Sequence, residues 1–183
     1  AFWATFTWSV AYFGIGVSWI HVSMIQFGGV ALLVSYLAVL LLACYLFLYN
    51  LLFTWSIHKF KLKNPFVLAS LFTLTEYLRG IVFTGFPWLQ LGYSQIDSPF
   101  ANIAPIFGVE GITFFIIVIV TYLVKFVQQS KIETKPLVSF ALMLAIGFAT
   151  HFSHFSQIDE KKRPLTVSLV QGNIEQKMKW DPA

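Results

Sequence analysis

The sequence has 183 residues, 57% hydrophobic and only 11% charged, with a mean hydropathy of +0.74. A soluble domain carries about a quarter charged residues, so this balance excludes an ordinary soluble globule and excludes disorder. The net charge of +4 is not a nucleic-acid patch, because the basic residues are scarce and gather at the ends of apolar segments.

Apolar residues run from Ala1 with no basic stretch ahead of them, so the opening is not a signal peptide. With an uncapped finish at Lys179-Trp180-Asp181-Pro182-Ala183, the expectation is a piece excised from something larger. Asp, Glu, Lys and Arg are absent before Lys59. A spanning helix needs about 20 apolar residues, and two fit in that stretch, split near Gln26-Phe27-Gly28-Gly29. The expected spans are 1–20, 30–55, 65–83, 109–127 and 136–155. Helices are the expected element because every backbone polar group in lipid must be paired internally.

The lysines orient these spans. Lys59, Lys61 and Lys63 lie between the second and third, and Lys125, Lys131 and Lys135 surround the turn between the fourth and fifth. The alternate connections, 21–29 and 84–108, hold no Lys or Arg. By the positive-inside rule the lysine turns are cytoplasmic and the other loops and the tail face outward. Lys161-Lys162-Arg163 leads into a translocated segment, where the rule weakens. Beyond Pro164, Leu165-Thr166-Val167-Ser168-Leu169-Val170 alternates apolar and polar and reads as a strand closed by Gln171-Gly172-Asn173. A single strand is not stable alone. The expected fold is therefore an all-α polytopic membrane domain of about five helices (residues 1–157), then a linker and the first strand of an outward soluble domain (158–183).

Few residues carry chemistry. Glu76 lies about 16 Å past Pro65 at 1.5 Å per residue, and Arg79 follows on the same helical face. Ionisable groups at that depth face the protein interior or a wet cavity. The pair is either a polar wall of a substrate cavity or an internal ion pair that orients its helix. The loop from Thr84 to Gly108 contains Gly85-Phe86-Pro87-Trp88-Leu89-Gln90-Leu91-Gly92-Tyr93-Ser94-Gln95. Its Phe86, Trp88 and Tyr93 suit the headgroup level, either lining a site or anchoring the loop. Glu110 reads as a carboxylate at a helix N-terminus. Cys44, the one cysteine, sits in an apolar run as small filler and forbids an internal disulfide. His21, His151 and His154 read as interface residues. No phosphate loop, zinc spacing or serine–histidine–acid set is present, so no metal and no cofactor is expected.

Thr75-Glu76-Tyr77-Leu78-Arg79-Gly80 and Thr84-Gly85-Phe86-Pro87-Trp88-Leu89-Gln90, followed by Gly92-Tyr93-Ser94-Gln95, resemble the apolipoprotein N-acyltransferase family of the bacterial inner membrane. Ser18-Trp19-Ile20-His21-Val22-Ser23 is similar to that family's N-W-V-Y-V-S, and Ala104-Pro105-Ile106-Phe107-Gly108-Val109-Glu110 to its A-P-I-x-G-V-E. Ser168-Leu169-Val170-Gln171-Gly172-Asn173 with Lys179-Trp180-Asp181 resembles the opening of its nitrilase-like domain. The resemblance covers essentially the whole chain.

It implies an enzyme that moves an acyl chain from a phospholipid to the α-amino group of an apolipoprotein's diacylated cysteine, through a thioester. It further implies a monomer in the inner membrane whose nitrilase-like α/β domain faces the periplasm. The implied Glu-Lys-Cys triad has no counterpart here: its W-P-E and C-Y-E motifs are expected beyond Ala183, and Cys44 does not match. Lining of the lipid site is expected from Glu76, Arg79, Phe86, Trp88, Gln90, Tyr93 and Trp180, the last matching a family tryptophan near the active-site mouth. The competing reading is a transporter or channel fragment with Glu76 and Arg79 in its pathway; the paired broken helices of inverted repeats are not found.

Overall fold

The computed structural model describes residues 2–129, 134–152 and 166–173. Among these residues six α-helices follow one another: α1 (Phe2–Gly16), α2 (Ile20–Gln26), α3 (Leu32–Phe60), α4 (Pro65–Ile81), α5 (Ala104–Gln129) and α6 (Thr134–Phe152). Between α4 and α5 lie three short 3₁₀ turns, Val82–Thr84, Leu91–Gln95 and Pro99–Ile103. α1 and α2 pack on α3, α3 on α4, α4 on α5, and α5 on α6.

Local sequence explains the boundaries. Asn64 caps α4, its Oδ1 accepting from the Phe66 N–H at 2.9 Å, and Pro65 fills the first helical position. α3 runs past the expected end at Trp55, because His58 and Lys59 suit the negative end of the helix dipole. It stops at Lys61, which is left-handed at φ 50°. Lys59 lies over the Trp55 ring, 5.1 Å from its centroid.

Packing is that of a chain whose solvent is lipid. Ser9, Ser35, Thr75, Arg79 and Thr113 are no more than 2% exposed, while Ile15, Leu33 and Leu41 are more than 70% exposed. Polar groups face inward because only there can they find partners. One apolar cluster joins Phe13 and Val17 of the first helical region to Val39, Ala43 and Leu46 of α3, with Phe86 and Leu89 of the connecting loop packed against it. Ala69, Val118 and Tyr122 join α4 to α5.

The elements differ from the expected spans in several places. The first expected span, 1–20, ends early at Gly16, and a second short helix, Ile20–Gln26, follows it at 45° within the expected connection. Among the described residues three helices, Leu32–Phe60, Pro65–Thr84 and Pro99–Gln128, are long and apolar enough to cross a membrane, and the bent pair makes a fourth if it counts as one span. The fifth expected span is α6, whose apolar stretch Phe140–Thr150 is shorter than a crossing helix, and Phe155 lies outside the described residues. The fourth is preceded by a short helical turn from Ala104, but Gly108 is non-helical (φ 69°, ψ −177°), so its regular run begins at Val109, as expected. Glu110 stands in the first turn after that break. Among the described residues there is no strand: 166–170 are irregular and exposed, without a neighbouring strand to pair with.

Candidate functional site: a loop clamped by a buried ion pair

The segment after α4 reverses sharply. Phe83, Thr84 and Gly85 are consecutive left-handed residues, with φ of 52°, 71° and 82°, a region that residues with a Cβ rarely enter. At Gly85 a Cβ would fall 1.8 Å from the Gly80 carbonyl oxygen, so only glycine fits this turn. The Phe86 N–H then donates back to the Arg79 carbonyl at 2.7 Å.

From Phe86 to Gly92 the loop backbone is held by side chains from three helices. The Arg79 guanidinium of α4 donates to the carbonyls of Phe86 (3.0 Å), Trp88 (2.5 Å) and Leu89 (3.3 Å). It also pairs with Glu76 at 3.2 Å and lies over the Phe13 ring, 5.3 Å from its centroid. Glu76 accepts from the Leu91 N–H at 3.0 Å and from the Thr113 hydroxyl of α5 at 3.0 Å. The Gly92 N–H donates to that same Thr113 oxygen at 2.9 Å. Tyr12 of α1 donates to the Leu89 carbonyl at 3.2 Å, so this end of α1 and the loop share one end of the bundle.

Glu76 and Arg79 are 8% and 2% exposed. A buried pair is tolerable only where its remaining donors and acceptors are met, and here loop backbone meets them. Of the two sequence readings, the ion-pair one describes this geometry, with the loop rather than the helix as what it orients. The pair still borders a cavity of about 290 Å³ between α1, α3, α4 and α5, reached also by Trp8, Tyr12, Asn50 and Phe72.

The loop aromatics divide into two groups. Phe86 is half-buried and meets Trp88 at 5.0 Å between ring centroids. Trp88 and Tyr93 project, 57% and 50% exposed. Gln90 is buried at 6%, its side chain beside Gly80. Trp180 lies outside the described residues. The structure thus brings Glu76, Arg79, Phe86, Trp88, Gln90 and Tyr93 to one end of the bundle.

The remaining candidates are elsewhere. Cys44 is half-buried on α3. His21 stacks on Tyr36 at 4.7 Å. His154 lies outside the described residues, and nothing is described of the His151 side chain. Among the described residues no three His, Cys, Asp or Glu side chains converge as metal ligands. Sequence reasoning missed Thr113 and Tyr12. The available signal for Thr113 was a lone hydroxyl in the apolar run Ile112–Val120; nothing marked Tyr12.

Residues 1–122 match the family model described as apolipoprotein N-acyltransferase N-terminal domain. The chain is 59% identical to the apolipoprotein N-acyltransferase of Haemophilus ducreyi over 180 residues, 98% of this chain and 36% of that protein. It is 49% identical to that of Haemophilus influenzae over 185 residues, covering 98% of this chain and 35% of the relative. Against that of Pasteurella multocida identity is 43% over 188 residues, all of this chain and 36% of the relative. The chain spans about a third of the length of these relatives.

Proposed function

The chain belongs to the apolipoprotein N-acyltransferase family, and from that premise we propose that it is the membrane part of an enzyme acylating lipoproteins. The enzyme transfers an acyl chain from a phospholipid to the N-terminal S-diacylglyceryl-cysteine of an apolipoprotein. Residues 1–157 form the multi-pass domain, with α6 as a fifth crossing. Residues 158–183 lead into a nitrilase-like domain, where 165–170 pair as its first strand. The protein sits in the inner membrane as a monomer, with the lysine turns cytoplasmic and the Phe86–Tyr93 loop periplasmic.

The catalytic Glu-Lys-Cys set is assigned to the stretch of the relatives that this chain does not span, so residues 1–183 alone form no thioester. The membrane part contributes proximity. An insoluble donor must be held at the headgroup plane, beside a thiolate activated by a neighbouring base. The observation that carries this reading is the clamped loop: a backbone fixed by Arg79, Glu76, Thr113 and Tyr12 holds Trp88 and Tyr93 exposed at one end of the helices. Rings whose supports do not move can seat a lipid at little ordering cost. Phe86, Trp88, Gln90, Tyr93 and Trp180 line the donor site, and Glu76 and Arg79 support it.

The test is Trp88→Ala and Tyr93→Ala in the full-length protein. Acyl-enzyme formation from phospholipid should slow about tenfold or more, as for loss of an aromatic anchor that a bound partner covers, at unchanged protein level in the membrane. Wild-type rates in both variants would leave the aromatics as plain interfacial anchors.

A further inference from the structure

Resting on the acyltransferase reading, we infer that Thr113 is a positioning residue for the phospholipid donor: its buried hydroxyl fixes the loop backbone immediately before Tyr93. Thr113 stands on α5, 1% exposed, inside an otherwise apolar run. Its oxygen has one proton to give and gives it to Glu76 Oε2 at 3.0 Å. The same oxygen accepts the Gly92 N–H at 2.9 Å. One atom therefore joins α5, the α4 ion pair and the loop.

The directionality matters. Glu76 and the Gly92 N–H make opposite demands, an acceptor and a donor, and a hydroxyl is the smallest side-chain group that answers both. Gly92 packs so closely on α5 that a Cβ there would lie 2.3 Å from the Val109 carbonyl oxygen. The Tyr93 N–H closes the next turn onto the Gln90 carbonyl at 3.1 Å. Removing the hydroxyl therefore leaves an unmet amide one residue from Tyr93 and takes one donor from Glu76, while the ion pair itself remains. The direct effect falls on Gly92 and Glu76, the two partners of the hydroxyl, neither of them on α1 or α3.

The experiment compares Thr113→Val, which keeps the branched shape without the hydroxyl, with Thr113→Ser, which keeps the hydroxyl, both in the full-length protein in detergent. Hydrogen exchange is read over the 86–95 loop and over α3, and donor KM and kcat are read with a phospholipid and a diacylated lipopeptide. For Val, loop exchange should quicken about fivefold to tenfold, the worth of one hydrogen bond, with α3 protection unchanged. Donor KM should rise by a similar factor with kcat changed less than twofold or so, and Ser should restore both. Wild-type loop exchange and KM in Val, failure of Ser to restore them, or loss of protection throughout the helices in either variant would overturn the inference. A wild-type protein that does not acylate the lipopeptide would instead remove the acyltransferase reading, and loop exchange would still judge whether Thr113 fixes the loop.

Discussion

Arg79 offers the most severe test of the clamp. Its guanidinium serves Glu76 and three loop carbonyls, those of Phe86, Trp88 and Leu89. Arg79→Met keeps an unbranched stem near Phe13 and removes all four interactions. Glu76, 8% exposed, is then left with the Leu91 amide and the Thr113 hydroxyl but no counter-charge. Breaking a buried pair by removing one partner costs about 3–5 kcal/mol, and each carbonyl that stays unmet adds about 1–3 kcal/mol. The expected loss is at least about 4 kcal/mol, on the order of a thousandfold in the folding equilibrium. The double variant Glu76→Gln/Arg79→Met has no orphaned charge, so it should be more stable than Arg79→Met alone by about 1 kcal/mol or more. Reversible unfolding of the full-length protein by SDS in mixed micelles measures both. A loss below about 1 kcal/mol for Arg79→Met, the range of an exposed pair, would refute the clamp. So would a double variant less stable than the single.

Two further outcomes check the geometry around the loop. Gly85→Ala and Gly92→Ala should both lower stability in the same assay, by about 1–3 kcal/mol or more. Their added methyl would meet backbone oxygens of Gly80 and Val109, at 1.8 and 2.3 Å, rather than movable side chains; a neutral Gly85→Ala would contradict the left-handed turn. Cysteines replacing Lys61 and Lys131 should resist an impermeant label applied from outside, while one replacing Asp97 in the loop should react. Labelling of both lysine positions would invert the proposed topology.

The helical skeleton was legible early because hydropathy adds along the chain: the apolar runs mark α3, α4 and α5 wherever neighbours pack. The boundaries that shifted depend on other terms. α3 runs on to Phe60 through residues suited to its dipole, and the break after Gly16 carries no charge and no proline to mark it. The 165–170 alternation reads as a strand, yet 166–170 are irregular in the structure, since a strand is defined by its neighbours as much as by its residues.

The opening composition, with so few charges, determined that lipid is the solvent and that any buried ionisable group would matter. It singled out Glu76 and Arg79 and the aromatic loop after them. Only the tertiary structure decided what the pair does. Its partners are backbone groups of the loop and a hydroxyl 37 positions away on another helix, contacts that no local periodicity encodes. A guanidinium in a low-dielectric interior takes whatever carbonyls the fold delivers to it, and here the fold delivers three from one loop. That is why two residues that the sequence left as either a cavity wall or an ion pair form an ion pair that holds the loop carrying Trp88 and Tyr93, while still bordering a cavity.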